Sequence, residues 1–263
     1  MKTILDKIVE EKKKEIKIAK QNISRAEILE KLSKKKINCR DFKKCLVAGN
    51  RINFIGELKK ASPVKGVLRK EFDLIKTALI YEKENISAIS VLTDKHFCGS
   101  LSDVKKVKNA TTLPVLRKDF IIEEYQLYES LLARADAVLL IASILPKNTL
   151  TKMLKIVHSL GMSALVEVHN QHDIEKVDFR HADIIGINNR DLRNFKTDLH
   201  ITEKLLKKIP FGKIVISESG IKSRAQVRFL EDLGVNALLI GEGIVRSKDI
   251  TAKIRNLQGR KNA

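Results

Sequence analysis

Positions 57 and 59 are where the chain first places chemistry. The stretch Asn53 to Gly66 reads N-F-I-G-E-L-K-K-A-S-P-V-K-G, a short apolar run that ends in Glu57 and Lys59. Residues two apart in a strand project to the same side. A carboxylate and an ammonium therefore share one space, with Leu58 turned away. Ser62-Pro63 and Gly66 then break the strand into a loop. Taken alone, the pair reads equally well as ordinary charge on an edge strand. Other polar residues, however, follow later apolar runs. Thr93-Asp94 precedes a loop holding Phe97, Gly99 and Ser100, and Lys118 lies in L-R-K-D-F. Glu167 interrupts A-L-V-E-V, and Asn188 and Arg190 lie in G-I-N-N-R-D-L. Glu218, Ser219 and Gly220 lie in S-E-S-G-I, and Gly241, Glu242 and Gly243 in I-G-E-G. A salt bridge is the simpler account of Lys118 or Asp119 by itself. Glu167 says more, because burying a carboxylate unpaired is costly. It must face a polar opening or hold a cation, for which Lys118 and Lys59 are the candidates.

These residues need elements that bring them together. Strand-like apolar runs occur at Asn53–Gly56, Ala88–Leu92, Pro114–Leu116, Ala137–Ile141, Ala164–Val168, Ile184–Ile187, Ile214–Ser217 and Ala237–Ile240. Helical patterns lie between them, for example Asp73–Glu84, Glu123–Ala133, Asn148–Leu160, Ile201–Lys208 and Ser223–Leu233. Near-continuous apolar runs mark parallel strands buried on both faces. Eight such units predict an α/β fold, a single (β/α)8 TIM barrel, over an open doubly wound sheet. No G-x-G-x-x-G follows a strand, which removes the best support for a dinucleotide fold. Residues 1–48 read as an N-terminal helical extension, with Ile4, Leu5, Ile8 and Val9 as an apolar stripe and Ser24 capping a second helix. The chain 1–263 is thus expected to form one barrel domain with that extension. In such a barrel the residues after the strands converge on one mouth. The glycines after strands 7 and 8 fit a phosphate site there, since glycine lets an anion approach backbone N–H groups.

Composition narrows the classes. Lys plus Arg number 51 against 32 for Asp plus Glu, a formal charge of +19. The lysines are spread along the chain, and three tyrosines without tryptophan offer little for base stacking. We read them as a solvated basic surface suited to an anionic small molecule, with no nucleic-acid partner. The apolar run from Ala137 to Leu145 is too short to span a bilayer, and Glu10 to Glu15 are too charged for a signal peptide. No membrane partner is expected. Cys39, Cys45 and Cys98 are odd in number and lack metal spacing, which predicts free thiols and a cytoplasmic protein. His169 and His172 complete no zinc pattern and read as surface or loop histidines. A monomer or weak homo-oligomer is expected.

Together these motifs resemble the indole-3-glycerol-phosphate synthase family. The resemblance runs from I-L-D-K-I-V near the start through G-E-L-K-K-A-S-P, S-V-L-T-D with F-C-G-S, L-P-V-L-R-K-D-F, L-V-E-V, G-I-N-N-R-D-L, S-E-S-G-I and L-L-I-G-E. It implies a decarboxylating and dehydrating ring closure in tryptophan biosynthesis, on a substrate carrying a carboxylate and a phosphate. It implies catalytic roles for Glu57, Lys59, Lys118, Glu167 and Asn188. Substrate binding is implied for Ser62, Arg190, Ser219, Gly220, Gly241 and Glu242, the last through its backbone N–H with its carboxylate turned away from the phosphate. Lys118 is then the acid for ring closure, Lys59 can share that role, and Glu167 fits the proton transfers. Whether Glu57 or Glu167 is the working base stays open. No metal or redox cofactor is signalled. Val64, where the family usually has a small hydroxyl residue, and Cys98, where Asn or Gln is common, depart from the pattern. A phosphoribosylanthranilate isomerase would need a cysteine at the end of strand 1, and none is there.

Overall fold

The structure, a computed structural model, describes residues 4–49, 51–62, 66–191 and 196–260. Val64 lies outside them. Eight parallel strands close into a barrel: β1 (Asn53–Leu58), β2 (Ala88–Leu92), β3 (Val115–Lys118), β4 (Ala137–Ile141), β5 (Ser163–Val168), β6 (Ile184–Asn188), β7 (Ile214–Glu218) and β8 (Ala237–Ile240). Asn53 of β1 pairs with Ala237 of β8, and Ile55 with Ala88 of β2, which closes the ring. Helices α1 (Ile4–Asn22), α2 (Arg25–Ser33) and α3 (Phe42–Cys45) precede β1. Helices α4 (Leu74–Lys83), α5 (Leu101–Ala110), α6 (Glu124–Leu132), α7 (Lys147–Ser159), α8 (Gln171–Lys176), α9 (His200–Leu206) and α10 (Arg224–Asp232) join successive strands. Helices α11 (Glu242–Val245) and α12 (Ile250–Gln258) follow β8. None of the described helices is long and apolar enough to cross a membrane.

Strand alternation divides the core in two. One set, including Ile55, Leu116, Leu139, Leu165, Ile184, Ile216 and Leu239, fills the barrel interior. The other, including Val138, Leu140, Val166, Ile185 and Leu238, packs beneath the helices. Four strands run further than their apolar composition predicts: β1 reaches Leu58, β3 reaches Lys118, β6 reaches Asn188 and β7 reaches Glu218. The extra residues belong to the ladder: Glu57 is in register with Ser90, Lys118 with Leu92, and Glu218 with Asn188.

The extension is less continuous than its sequence predicts. Residues 35–41 are not helical. They lie along the amino-terminal ends of the strands, where the Arg40 N–H donates to Asp136 at 2.5 Å and the Arg40 guanidinium to the carbonyls of Leu113 and Lys108. Helix α3 follows, and its Phe42, with Leu46 just after it, joins the interior cluster. Helix α2 starts at the expected Ser24, whose hydroxyl and Glu27 form a reciprocal cap. Leu5 and Ile8 of α1 reach the opposite, carboxyl-terminal end.

Candidate active site

The candidate site residues are further members of the inward-facing series. Ile55 leads to Glu57, Leu116 to Lys118, Leu165 to Glu167, Ile184 to Asn188, Ile216 to Glu218 and Leu239 to Gly241. Alternation alone therefore delivers them to the barrel axis just above the apolar core. Glycines in the same series make room for them. A Cβ on Gly186 would sit 2.1 Å from Glu218 Oε1, and one on Gly241 would sit 2.3 Å from Glu57 Oε1. The mouth opens into a cavity of about 240 Å³. All eleven site residues expected from the sequence line it: Glu57, Lys59, Ser62, Lys118, Glu167, Asn188, Arg190, Ser219, Gly220, Gly241 and Glu242.

Lys118 sits between two carboxylates. Its Nζ is 3.0 Å from Glu167 Oε2 and 2.7 Å from Glu218 Oε2. Burial works against its charge, but Glu167, Glu218 and Glu57 more than offset this and its pKa rises. The two carboxyls respond in opposite directions. Burial opposes ionisation of Glu167, yet Lys118 and His169 hold its pKa down at about 2. Glu218 is pushed up to about 7, first by burial and then by the neighbouring charges of Glu167 and Glu57. Its Oε1 is buried without a hydrogen-bond partner. Lys59 is in a different setting. Its ammonium is 3.7 Å from Glu57 Oε1 and lies over the Phe97 ring at 4.9 Å from the centroid. Burial lowers its pKa, and Glu57 does not fully restore it. The mouth thus holds one lysine that grips its proton and one that releases it more readily.

The rim carries the residues expected from the sequence to form an anion site. Ser219 and Gly220 turn in the left-handed region with φ of 68° and 84°. A Cβ on Gly220 would also come within 3.2 Å of Thr197. Across the gap, Gly241 opens α11, whose first N–H groups have no partner within the helix. Glu242 directs its carboxylate to Arg190 at 3.8 Å and Arg246 at 3.4 Å. Asn188 Oδ1 accepts from the Arg190 N–H at 3.1 Å. Phe97 stacks on Phe120 with ring centroids 6.5 Å apart, beside Lys59.

Three residues of this mouth have settings that the sequence does not reveal. Glu218 stands among the polar residues that the barrel converges on the mouth, but the family resemblance assigns it no role. His169 is in the expected loop but is not at the surface: its side chain is 9% exposed, with Nε2 3.3 Å from Glu167. His172 is exposed, as expected. Lys12, one of a run of three lysines, is buried and reaches Asp94 at 2.6 Å and Asp119 at 2.9 Å. Despite burial, Arg117 and Lys12 hold the Asp119 carboxyl down at about 2. Asp119 is thus a structural anchor that fastens α1 over the mouth. Leu5 and Ile8 of that helix line the cavity.

Comparison with known proteins agrees with this geometry. The family profile for indole-3-glycerol phosphate synthase matches residues 5–257. An indole-3-glycerol phosphate synthase of Alkaliphilus metalliredigens is 44% identical over 256 residues, covering 97% of this chain and 98% of the relative. That of Caldanaerobacter subterraneus is 46% identical over 258 residues, covering 96% and 99%. That of Dehalococcoides mccartyi is 50% identical over 213 residues, covering 80% and 82%. Among solved structures, a 3-hexulose-6-phosphate synthase superposes with a TM-score of 0.65 at 15% identity, covering 79% of this chain and 99% of that one. At that identity the likeness concerns the fold alone. The chain belongs to the indole-3-glycerol phosphate synthase family, the decarboxylating lyases that form the indole ring in tryptophan biosynthesis.

Proposed function

We propose that this mouth converts 1-(2-carboxyphenylamino)-1-deoxyribulose 5-phosphate to indole-3-glycerol phosphate with the acid work divided between its two lysines. The observation that carries this reading is their contrast: Lys118 is clamped by Glu167 and Glu218, and Lys59 rests on Phe97 with a lowered pKa.

The substrate is held at both ends. Backbone N–H groups around Ser219, Gly220, Gly241, Glu242 and Gly243 take the phosphate. Arg190 takes the carboxylate, a pairing suited to its planar fork, and Ser62 lines the aromatic side. Asn188 keeps Arg190 and Glu167 in place. The aromatic carbon bearing the carboxylate then attacks the ketone carbon, and the carbonyl electron pair moves to oxygen. Lys118 donates a proton to that oxygen. A raised pKa is no obstacle here, because a forming alkoxide is far more basic than an amine. A preorganised cation in a site shielded from water also stabilises the developing charge strongly. Carbon dioxide leaves, and its bonding pair restores the aromatic ring.

Dehydration asks for a better acid, since hydroxide is a poor leaving group. Lys59 fits, and it donates to the departing hydroxyl so that water is released. The hydrogen on the neighbouring ring carbon is lost as a proton to Glu57, and its bonding pair forms the new double bond. Glu218, with its pKa near neutrality, reloads Lys118 across 2.7 Å. Glu167, whose carboxyl Lys118 and His169 hold low, keeps the Lys118 ammonium in position. The free thiols fit a cytoplasmic enzyme, monomeric or weakly self-associating, and burial pushes the Cys45 thiol up to about 12, out of reactive range.

The test separates the two steps by timing carbon dioxide release against indole fluorescence. In Lys59→Met, carbon dioxide release should outrun indole formation, because the hydroxylated intermediate accumulates. In Lys118→Met, both should slow together. If Lys59→Met slows both signals equally, the division of labour is wrong.

A further inference from the structure

Two carboxylates share one lysine at the centre of the mouth, and nothing in Lys118 itself decides which of them keeps a proton. The asymmetry lies behind Glu167. Beyond the end of β5 the chain turns, and His169 packs its ring against Glu167 Oε1 with Nε2 at 3.3 Å. Its Nδ1 faces Asp173 Oδ2 at 3.6 Å. Asp173, at the start of α8, is 1% exposed and fixed from several directions. It accepts from the His169 backbone N–H at 2.9 Å, and its own N–H donates to Asn170 at 3.0 Å. The imidazole is thus enclosed between two anions. Neither ring nitrogen makes a hydrogen bond of good geometry, and neither is exposed to solvent. A neutral ring would leave two polar nitrogens poorly satisfied in a buried place. An imidazolium gains from both neighbours at once.

We propose that His169 is a positioning residue: as an imidazolium between Asp173 and Glu167, it keeps Glu167 ionised on Lys118 and leaves the labile proton of this carboxylate pair on Glu218. The proposal rests on the reading in which Lys118 is the acid and Glu218 reloads it. The charged groups that face the ring are Glu167 on β5, Asp173 on α8 and Glu218 on β7, with Lys118 on β3 lying beyond the two glutamates. Burial alone would lower the pKa of His169, but Asp173, Glu167 and Glu218 raise it. Among the described residues Glu218 has no cation of its own besides the shared lysine, and its carboxyl is the one that burial and Glu167 push up. His169 does not line the cavity, so it acts on substrate only through Glu167.

Two spectroscopic titrations on the full chain test this. Ring-nitrogen NMR of labelled histidine should place His169 above the ordinary value of about 6.5, and Asp173→Asn should lower it. Carbon-13 NMR of carboxyl-labelled glutamate follows the proton on the buried pair. In His169→Phe that proton should be released about one pH unit higher, since an opposite charge at this range shifts a carboxyl by at least that much. Turnover should fall about tenfold near neutrality with KM changed by less than about twofold, because the residue touches no substrate. His169→Gln, smaller and polar, gives the same carboxyl shift should the phenylalanine not be accommodated. A histidine that titrates at or below the ordinary value overturns the proposal. So does a carboxyl midpoint that stays put in the variants while activity falls, since that is what a packing role predicts. If Lys118→Met retains turnover while both titrations behave as expected, the acid assignment fails and the coupling of His169 to Glu167 stands.

Discussion

At the amino ends of the strands, Lys108 meets Asp136 in a buried ion pair; at the carboxyl ends, Lys118 meets Glu167 and Glu218. The lower cluster is saturated. Asp136 accepts from Lys108, from the Val115 N–H at 2.8 Å and from the Arg40 N–H. The Arg40 guanidinium closes over the carbonyls of Leu113 and Lys108. The upper cluster is not saturated. Glu57, Glu167 and Glu218 face Lys59 and Lys118, one carboxylate oxygen has no partner, and the group opens into a cavity. One barrel thus uses buried charge in two ways. Below, satisfied pairs lock the extension to the strands. Above, incomplete neutralisation leaves a proton near its point of release, which is useful to acid–base chemistry and costly to the fold.

The largest expected effect comes from removing the upper cation. Lys118→Met keeps the length of the side chain and deletes its charge, while the proposed phosphate and carboxylate anchors remain. Loss of one preorganised donor typically costs on the order of 100- to 1,000-fold in turnover. Product affinity should change far less. Near-normal turnover in a folded Lys118→Met protein would show that Lys59 or water protonates the alkoxide.

The same change at the lower end should be silent in catalysis. Lys108→Met leaves Asp136 buried without its cation, and breaking a buried pair in this way costs about 3 kcal/mol or more. Urea unfolding should show that loss, with kcat of the folded protein unaltered. A drop in kcat without loss of stability would mean the two ends are coupled through the barrel, and the contrast drawn above would fail.

These two ends were not equally legible in the sequence. The eight apolar runs identify the strands, because a strand buried on both faces has little choice of composition. Alternation then aims Glu57, Lys118 and Glu167 inward without any knowledge of their partners. The polar ends of β3, β6 and β7 lie beyond their apolar runs, since membership in the ladder depends on neighbours far along the chain. Glu218 illustrates the limit: its pKa and its contact with Lys118 exist only because residues 100 positions apart meet. Lys12 and His169 were hidden for a related reason. A lysine in K-K-K and a histidine in V-H-N look solvated, and only Asp94, Asp119 and Asp173, brought in by other elements, bury them. The lower cluster left no trace in the sequence reading at all, because Lys108 and Asp136 lie in no motif.

A smaller effect, and a sign reversal, is expected from Glu218→Gln. The Glu218 carboxyl rises from 4.5 to about 7 on folding. Between those values the folded chain holds a proton that the unfolded chain has lost. Its contribution to stability is therefore full below about 4.5 and declines as pH rises through about 7. Replacing it with a neutral amide should stabilise the protein at pH 8, by on the order of 3 kcal/mol for a shift of this size. The advantage should fade toward pH 5. Glu167, whose carboxyl falls to about 2, behaves oppositely: its contribution is present above about 4.5 and is lost as pH falls toward 2. Thermal melts of Glu218→Gln and wild type across pH 5–8 check that the two curves converge toward pH 5. Parallel curves would mean that Glu218 is ionised throughout, and that the upper cluster stores no proton.

The smallest effect tests where the site ends. Cys98 follows Phe97 in the loop after β2, is exposed, and adopts the left-handed region with φ of 55°. That conformation burdens most side chains and suits asparagine, whose short polar side chain tolerates it. The preceding turn is held by backbone and by Asp94, which accepts from the His96 N–H at 2.8 Å, and the Cys98 N–H donates to the Lys95 carbonyl at 2.9 Å. None of these bonds uses the thiol. Phe97 lines the cavity and Cys98 does not. Cys98→Asn should therefore leave Phe97 over Lys59, leave kcat and KM unchanged, and raise stability by no more than about 0.5 kcal/mol, the usual range for a surface change. Chemical unfolding and steady-state kinetics measure both quantities. A clear change in kcat would mean that the thiol bears on the Phe97 platform, and the boundary between site and surface would then lie one residue further out in this loop.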